Sequence, residues 1–487
     1  MARKTEFDAH RLAEDDSSLD DYRTPFRRDY ARVVHSPAFR RMQYKTQLFP
    51  GHESDFIRNR LTHSIEVSQI AKTIGLKLAK KYPQLDVNPD ICETAGLLHD
   101  IGHPPFGHVG EDCLDELMVD AGGFESNAQT LRIIGKLEKK VDDGGSGTKG
   151  GKIDLENRKG LNLTYRTILS CIKYWKEIPL ERKDRKGRPY KGYYSSEKSL
   201  IKDVAKKVLD RPPESNCKSI ECSIMDIADD IAYSTYDIDD AFKSGFLTPL
   251  GMMNASPKLF DGINNKLSLE GGRDYCRSVV QFAYIDWWWE NISKLSEIDF
   301  TPYHNYSETS SDEDYNEFKN VVEKVLSQVL YIGQASESLA QNAYVRNAFT
   351  SKLIGEAIES VDVLGTIDDE MSILTPVDFT SQMIKDRVNV FKEFTLQFLI
   401  SSPEFESISR TERIVIRDIF EALTAPNGYK LMPRDHQLLY ESTKEDDIFA
   451  KKRIICDYIA GMTDRYATEF HKRITAIDGV SIFRPYY

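Results

Sequence analysis

The sequence has little of what membrane-spanning, secreted and β-sheet proteins require. Its apolar runs all fall short of the about 18 residues that a membrane helix needs, and the first residues, MARKTEFDAHRL, contain no signal-peptide core. The seven cysteines are scattered and odd in number, and no two form a CxxC pair, which argues against a disulfide framework or a cysteine zinc site. Few segments alternate apolar and polar residues with period two. We therefore predict a cytoplasmic protein with reduced thiols, no membrane association and little β-sheet.

Helix-forming residues are abundant, and glycine and proline fall mostly between periodic segments, so we predict an all-α, mainly helical fold. The 487 residues could hold several domains, but the notable motifs are spread from residue 26 to residue 467. This spread favours one large helical body with insertions. We predict a flexible segment at 1–22, a catalytic core at 23–245 with a glycine-rich insertion at about 140–160, and a helical C-terminal region at 246–487 that packs on the core.

The net charge of −12 disfavours indiscriminate binding to nucleic acid, but one segment departs from the acidic average. Between residues 23 and 45 the one acidic residue is Asp29. The basic residues of this segment are Arg23, Arg27, Arg28, Arg32, Arg40, Arg41 and Lys45. A solvated basic helix would explain the pattern. The alternative is a binding site for a polyanion such as a nucleoside triphosphate, whose phosphates guanidinium groups contact in bidentate fashion.

The segment 95–111, AGLLHDIGHPPFGHVGE, concentrates side chains that carry chemistry. His99 and Asp100 are adjacent, and because adjacent residues point about 100° apart on a helix, both reach one ion only near a helix end. Glycine and proline residues then end the helix and expose a loop. The functional side chains of this loop are His103, His108 and Glu111. The pattern indicates a metal and acid–base site, and a structural hydrogen-bonded His–Asp pair is the alternative.

Two further segments offer ligands to the same site. His63 lies in an amphipathic helical run, thirty-six residues before the His–Asp pair. The segment 223–241, SIMDIADDIAYSTYDIDDA, offers a later carboxylate, because Asp229, Tyr233 and Asp237 recur at every fourth position and share one helix face. Taken alone, His63 would be explained by a buried hydrogen bond and the acidic segment by a solvated face.

These motifs resemble the deoxyguanosinetriphosphate triphosphohydrolase (dGTPase) family of HD-domain phosphohydrolases. The segments that carry the resemblance, in the order of the family, are FRRDYARVVHSPAFRRMQYKTQLF, RLTHSIEV, LLHDIGHPPFGHVGE, FESNAQTLR, LNLTYRT, YYSSEK, IADDIAYSTYDIDDA and DYIAGMTDRYA. The His–Asp pair alone would be a weak signal, but the ordered set is specific. The resemblance implies an HD-domain helical core with helical insertions and a helical C-terminal region.

The resemblance implies a divalent metal ion, Mn²⁺, Mg²⁺, Co²⁺ or Fe²⁺, held by mixed nitrogen and oxygen ligands. The implied ligands are His63, His99, Asp100 and Asp229. The D-x3-Y-x3-D spacing of the family favours Asp229, and Asp230 is the alternative. His108 would act as the general acid–base and Glu111 would orient it, with a helix-start ion pair as the alternative explanation.

The resemblance also implies substrate contacts. Gln47 and Leu48 would contact the deoxyribose and exclude a 2′-hydroxyl, although an ordinary loop amide would also explain Gln47. The residues implied near the phosphates and the sugar are Arg60, His103, Lys173, Tyr174, Tyr233 and Asp237. Spacing alone would equally allow Lys173 to be a surface lysine. Asn127 and Gln129 are further candidates, and Ser126 stands where some relatives have a histidine.

The implied reaction is hydrolysis of dGTP at the α-phosphate ester to deoxyguanosine and inorganic triphosphate, which would control dNTP pools. One alternative is an HD phosphohydrolase that acts on several dNTPs or on nucleoside monophosphates. The other, from a different class, is a protein that binds nucleotides or single-stranded nucleic acid and whose turnover is incidental. The resemblance further implies a homo-oligomer, often a hexamer, and allows activation by a dNTP or by single-stranded DNA.

Overall fold

The fold is mainly helical, so the predicted all-α class is confirmed. A computed structural model describes residues 8–13, 22–48, 57–141, 158–181, 189–209, 217–291, 329–365 and 372–475. Most of the predicted flexible segment 1–22 and of the predicted insertion at 140–160 lies outside these ranges. Within them, the strands are β1 (Val361–Val363) and β2 (Val377–Phe379), which pair with each other. None of the described helices combines the length and the apolar character needed to cross a membrane.

The chain divides into two compact units, and the first one contains both ends of the described chain. Unit 1 comprises residues 1–229, 361–378 and 403–487, and unit 2 comprises residues 230–360 and 379–402. This division differs from the boundary predicted at residue 245, because the last helices of the chain share a hydrophobic core with an early helix. Such long-range packing leaves no mark in the local sequence.

The helices of unit 1 are given in chain order. They are α1 (Pro25–Val34), α2 (Pro37–Arg41), α3 (Arg60–Lys81), α4 (Pro89–Leu98), α5 (Gly107–Leu117), α6 (Ser126–Arg132), α7 (Tyr165–Leu169), α8 (Lys198–Val208) and the first part of α9 (Ile220–Lys243), followed near the C-terminus by α16 (Pro403–Thr424), α17 (Arg434–Ser442), α18 (Ile448–Ala460) and α19 (Asp464–Ile474). A π-helical turn, Ile133–Leu137, extends α6.

The helices of unit 2 follow the same numbering. They are the second part of α9, α10 (Pro249–Met253), α11 (Pro257–Leu267), α12 (Gly272–Asn291), α13 (described over 329–341), α14 (Ala343–Ser360) and α15 (Gln382–Ile400). Aromatic side chains fill the interior of this unit: Tyr284 is fully buried and its ring stacks on Phe349 at 5.2 Å and on Phe391 at 6.1 Å.

The two helices that carry the candidate histidines begin and end at clear sequence signals. Asn59 caps α3 by accepting a hydrogen bond from the backbone N–H of Thr62, whose hydroxyl caps Asn59 in return. This helix ends at Lys81, before Pro83. Asn88 caps α4 by accepting hydrogen bonds from the backbone N–H groups of Asp90 and Ile91, and α4 ends at Leu98 with the predicted His–Asp pair directly after it.

Residues 8–13 correct the prediction of a loosely held N-terminus. Asp8 is 4% exposed, and the guanidinium of Arg11 is paired with the buried carboxylate of Asp29 and donates a 2.8 Å hydrogen bond to the carbonyl oxygen of Asn162. Asp29 also accepts hydrogen bonds from the backbone N–H and the hydroxyl of Thr164, at 2.9 and 2.6 Å. This stretch is therefore tied to the core of unit 1.

Two segments hold shorter helices than a continuous amphipathic pattern suggests. Residues 451–473 form two helices, α18 and α19, because the chain bends at Gly461 and Thr463 caps a new helix through its hydroxyl. In the segment 161–174 the helix is limited to the short α7.

A cluster of buried ion pairs and hydrogen bonds connects two segments of unit 1 that are distant in the sequence. Arg132, 4% exposed, donates to both carboxylate oxygens of Asp457, with Nη2 at 2.7 Å from Oδ2, and to Glu197 at 3.1 Å. Gln129 donates a further hydrogen bond to Asp457 at 3.1 Å. The cluster therefore links α6 to α18 across more than 300 residues of sequence.

Removal of Arg132 should destabilise the protein strongly. Arg132→Met leaves two buried carboxylates without their cation, which typically costs about 3–5 kcal/mol. Arg434→Met is the matched control, because Arg434 is 65% exposed and pairs with Glu441 at 3.4 Å, a type of contact worth below about 1 kcal/mol. We expect urea unfolding followed by circular dichroism to show a much lower midpoint for Arg132→Met only. Equal midpoints for the two variants would contradict this account of the cluster.

Candidate metal centre and catalytic loop

Side chains from three helices converge at one point of unit 1. His63 projects from α3, His99 stands at the end of α4, and Asp229 projects from α9. One carboxylate oxygen of Asp229 lies 3.1 Å from Nε2 of His63 and 3.3 Å from Nε2 of His99. The three ligand atoms lie within 4.8 Å of one another, close enough to bind one metal ion.

The chemistry of these donors fits a cation. The Nδ1–H of His99 donates a 2.7 Å hydrogen bond to the carbonyl oxygen of Gly96, so its Nε2 turns a lone pair toward the centre. That nitrogen has no hydrogen-bond partner among the described residues, although it is buried. Burial would lower the pKa of His99, but the negative charges of Asp100 and Asp229 outweigh it and raise the pKa. A divalent ion would supply the positive charge that these facing acceptors need.

Asp100 lies between the centre and a second histidine. Its Oδ1 is 3.4 Å from Nε2 of His99 and 3.0 Å from Nδ1 of His103, and its Oδ2 accepts a 2.7 Å hydrogen bond from Arg60. Burial opposes its ionisation, yet the adjacent His99, His103 and Arg60 hold the pKa of this carboxyl well below its usual range. Asp100 is therefore an ionised carboxylate held in place next to the centre, but it lies outside the group of three ligand atoms, so its role as a fourth ligand stays a prediction.

Arg60 and His103 are both deeply buried. Arg60 is fully buried on Asp100, and its contact with a phosphate stays a prediction. Burial and the nearby charge of Arg60 lower the pKa of His103 to about 4, so this histidine is neutral at physiological pH. Lys45 donates to the carbonyl oxygen of His103 and, at 2.8 Å, to that of Ala460, so it fixes the loop backbone.

A left-handed turn directs the loop into α5. Phe106 has φ 65° and Gly107 has φ 54°, and a side chain at Gly107 would place its Cβ 2.8 Å from Nη2 of Arg60, so glycine is required there. Asp464 holds this turn by accepting a 2.9 Å hydrogen bond from the backbone N–H of Phe106. Its other oxygen accepts from the backbone N–H of Thr46 at 2.7 Å. The start of α19 thereby positions two segments that carry predicted site residues.

The turn presents His108 at the start of α5. The His108 side chain is 60% exposed, and its Nδ1 lies 3.3 Å from Oε2 of the buried Glu111. Glu111 also accepts a 2.8 Å hydrogen bond from the backbone N–H of Ser126. Burial opposes ionisation of Glu111, but hydrogen bonding to His108 and the charges around it lower its pKa. An ionised Glu111 beside an accessible imidazole is suited to orient it for proton transfer.

Two lysine residues form ion pairs with acidic side chains of this region. Lys173 is half-buried and lies 2.8 Å from Asp226, which also pairs with Lys218. Burial disfavours a charged Lys173, but Asp226 and Asp229 raise its pKa well above the ordinary value, so it carries a positive charge. Lys191 lies 3.0 Å from the buried Glu125.

The other predicted substrate residues of unit 1 are placed as follows. Gln47 is 7% exposed, and neither polar atom of its amide has a hydrogen-bond partner in the described part of the chain. Leu48 follows it and is half-buried. The side chain of Asn127 donates a 2.6 Å hydrogen bond to Glu125. Tyr174 is half-buried, directly after Lys173.

The remaining predicted residues belong to unit 2. Tyr233 and Asp237 lie on α9, four and eight residues after Asp229. Asp237 is 6% exposed, and the ammonium of Lys392 lies 5.2 Å from the centre of the Tyr233 ring. Asp230, the alternative ligand, is paired with Lys392.

Sequence reasoning missed several residues that support the site. Asp226 precedes Asp229 by three positions on α9, so its proximity to the centre could have been inferred from helix geometry. Asp464 was visible only as part of DYIAGMTDRYA, and its contact with Phe106 spans 358 positions, so no local signal predicts it. The ion pair of the buried Glu125 with Lys191, 66 positions later, has no local signal either.

Comparison with known proteins agrees with this geometry. The profile of the HD domain matches residues 60–234, which hold all four candidate ligands, and that of the phosphohydrolase-associated domain matches residues 378–473. HD domains bind divalent metal ions. The class of the protein is therefore that of the HD-domain phosphohydrolases.

Curated relatives narrow the class to a family. Deoxyguanosinetriphosphate triphosphohydrolase-like protein 2 of Mesorhizobium japonicum is 38% identical over 470 residues, 95% of each chain. Deoxyguanosinetriphosphate triphosphohydrolase-like proteins of Aliivibrio fischeri and Actinobacillus succinogenes are 31% and 30% identical, over 93% of this chain and 93% and 95% of their own. The chain belongs to this deoxyguanosinetriphosphate triphosphohydrolase-like family, as its motifs predicted.

Proposed function

We propose that this protein hydrolyses dGTP to deoxyguanosine and inorganic triphosphate with the help of a divalent metal ion. One observation carries the proposal: in a chain of this family, His63, His99 and Asp229 converge on one point near the accessible His108, which is paired with Glu111. His103 connects the two groups, because its Nδ1 lies 3.0 Å from Asp100 and its ring lies 5.6 Å from that of His108. The names of the relatives supply the nucleotide and the reaction. The cytoplasm, where dNTPs are found, would be its place of action.

The proposed metal ligands are His63, His99, Asp100 and Asp229. Mn²⁺, Mg²⁺ and Co²⁺ all suit this mixture of imidazole and carboxylate donors. Bound there, the ion would act as a Lewis acid on the α-phosphate and lower the pKa of a water molecule. Arg60 serves as a positioning residue in this scheme, since it holds Asp100.

His108 is the general acid–base of the proposed reaction. Its exposed imidazole can move a proton to the departing 5′-oxygen or from the attacking water, and Glu111 fixes its orientation. His103 is proposed to contact the phosphates, and charged Lys173 can attract the triphosphate.

The sugar contacts follow from burial and from the family resemblance. Gln47 is a buried amide that needs partners, and a deoxyribose hydroxyl would supply one, with Leu48 packed against the sugar. Tyr233 and Asp237 are proposed to contact the 3′-hydroxyl and the phosphate side, and Tyr174 and Asn127 to border the substrate.

Product analysis tests the proposed reaction. Purified protein is incubated with each dNTP and with GTP, with Mn²⁺ or Mg²⁺, and the products are separated by ion-exchange chromatography. We expect deoxyguanosine and intact triphosphate, mainly from dGTP. Equal turnover of the four dNTPs would support the reaction but contradict a specificity for dGTP. Release of phosphate or pyrophosphate, or nucleotide binding without turnover under all conditions, would contradict the proposal.

Gln47 should contribute strongly to recognition of the deoxyribose of dGTP. Gln47→Ala removes a buried hydrogen-bond partner, so we expect kcat/KM for dGTP to fall by roughly 10-fold to 100-fold. The matched control is Gln43→Ala, because Gln43 is exposed in the same segment and should stay within about twofold. Steady-state kinetics with dGTP checks both variants. A loss of the same size in Gln43→Ala would contradict the proposed contact.

We further propose that the protein is a homo-oligomer, a hexamer by family resemblance, and that a dNTP or single-stranded DNA acts as its effector. Mass photometry with and without each dNTP and a single-stranded oligonucleotide tests the assembly. A monomer under every condition would contradict it.

A further inference from the structure

The catalytic loop contains a second group of side chains that can ligate a metal ion. The group consists of His103, His108 and Glu111, and one ligand atom of each lies within 4.8 Å of those of the other two. None of them is among the proposed ligands of the metal centre. Two imidazoles and one glutamate are a donor set that zinc sites use. The proposed reaction does not account for this grouping, because proton transfer needs the His108–Glu111 pair alone.

His103 is oriented as a metal-binding histidine. Its Nδ1 lies 3.0 Å from the carboxylate of Asp100, which accepts hydrogen bonds only. In the neutral ring the hydrogen therefore belongs on Nδ1, and Nε2 keeps a lone pair. A histidine that ligates a metal ion almost always gives its other N–H to a carboxylate or a carbonyl oxygen in this way. The backbone of His103 is fixed as well, because its carbonyl oxygen accepts a hydrogen bond from Lys45.

The spacing of the His108–Glu111 pair fits two ligands of one ion. Nδ1 of His108 lies 3.3 Å from Oε2 of Glu111. This distance is long for a charge-assisted hydrogen bond, which measures about 2.7–2.9 Å. It matches the separation of about 3.3 Å between two ligands that each lie about 2.0 Å from a tetrahedral ion. The other oxygen of Glu111 accepts a 2.8 Å hydrogen bond from the backbone N–H of Ser126, so Oε2 is the oxygen that faces the group.

The group is buried on one side and open to solvent on the other. His103 and Glu111 are 8% and 4% exposed, whereas the His108 side chain is 60% exposed. The two buried side chains form a rigid half of the site, and the exposed imidazole leaves a path by which an ion enters. Three protein ligands would leave a fourth position for water.

We propose that His103, His108 and Glu111 bind a second divalent ion, Zn²⁺, and that this ion inhibits the enzyme. Zn²⁺ suits two imidazole ligands, whereas Mg²⁺ prefers oxygen and Mn²⁺ binds such ligands more weakly. The bound ion would occupy the lone pair of His108 and the carboxylate of Glu111. The imidazole could then no longer accept a proton, and proton transfer would stop. The binding site is argued from geometry, and its inhibitory role rests on the proposed function.

Asp100 lies between the second site and the metal centre. Its Oδ1 is 3.4 Å from Nε2 of His99 and 3.0 Å from Nδ1 of His103. The two sites are therefore neighbours, but their proposed ligand sets share no residue. Loss of a ligand of the metal centre such as Asp229 should consequently leave the second site able to bind Zn²⁺.

Zinc binding to metal-free full-length protein tests the proposal. The protein is dialysed against Zn²⁺, and the bound metal is counted by inductively coupled plasma mass spectrometry. We expect about two equivalents in wild type and about one each in Glu111→Gln and Asp229→Asn, because loss of a ligand charge weakens a site at least about tenfold. Glu116→Gln is the matched control. It changes a 57% exposed side chain on the same helix and should keep both equivalents.

His108→Gln keeps the test decisive if Glu111→Gln fails to fold, because the His108 side chain is exposed. It should also bind about one equivalent of Zn²⁺. With Mn²⁺ in place of Zn²⁺, wild type and both variants should hold about one equivalent, since Mn²⁺ binds nitrogen ligands the least tightly of these metals. A single zinc equivalent in wild type, undiminished zinc in both variants, or loss of all zinc in Asp229→Asn would overturn the proposal.

Inhibition is measured separately, on protein loaded with Mn²⁺. One added equivalent of Zn²⁺ should lower kcat of wild type for dGTP at least about tenfold while Mn²⁺ stays bound. The residual activity of Glu111→Gln should change less than about twofold, because this variant lacks the second site. Equal inhibition of the two proteins would overturn the inhibitory role. If dGTP is not hydrolysed, the proposed function fails, and the zinc count still decides whether the second site exists.

Discussion

Asp229→Asn should lose activity by more than about 100-fold and lose its metal ion. Even residues that only support metal ligands typically contribute 10-fold to 100-fold, and Asp229 contacts both histidines of the centre directly. Asparagine keeps the shape of the side chain but removes the charge that compensates a cation. The remaining imidazole nitrogens and Asp100 would then hold a divalent ion weakly.

Asp230→Asn is the matched control for this variant. The two aspartates are adjacent on α9, but the carboxylate of Asp230 is paired with Lys392. We expect a metal content near one equivalent by inductively coupled plasma mass spectrometry. Activity should stay within about fivefold of wild type, because partly exposed ion pairs contribute little. The opposite result, with metal lost in Asp230→Asn and kept in Asp229→Asn, would show that Asp230 is the metal ligand and Asp229 is not.

His108→Gln should lose activity while the metal ion stays bound. A general acid–base typically contributes 10²-fold to 10⁴-fold, so we expect kcat to fall by about that factor. Because the His108 side chain is 60% exposed, the substitution should not disturb the fold. Glu111→Gln should have a smaller effect on kcat, since it removes the orientation of His108 and not the imidazole itself.

Measurements of metal content and thermal stability distinguish a role of His108 and Glu111 in proton transfer from a structural role. Both variants should match wild type in bound metal. The control His35→Gln alters an exposed histidine at the end of α1 and should keep full activity. Wild-type kcat in His108→Gln would assign the proton transfer to another group.

The sequence predicted the helices and the grouping of ligands for local reasons. Asparagine caps and prolines mark the ends of α3 and α4, and these are short-range effects of backbone hydrogen bonding. His99 and Asp100 could be placed at a helix end because glycine and proline follow them. Asp229 was preferred to Asp230 from helix periodicity, and the structure brings Asp229 to the two histidines.

Long-range contacts were beyond the sequence. Arg60 was assigned to phosphate, and nothing near it in the sequence indicates its ion pair with Asp100, forty positions away. The support of the catalytic loop by Asp464 and the clustering of Arg132 with Asp457 join residues more than 300 positions apart. The break between α18 and α19 depends on Gly461 and Thr463, which a continuous amphipathic pattern conceals.

The most direct test of the central claim is the fate of water oxygen during dGTP hydrolysis. The reaction is run in H₂¹⁸O with Mn²⁺, and the products are analysed by mass spectrometry. Attack at the α-phosphorus predicts one ¹⁸O atom in the triphosphate and none in deoxyguanosine. Label in the 5′-hydroxyl of deoxyguanosine, or in released phosphate or pyrophosphate, would contradict the account.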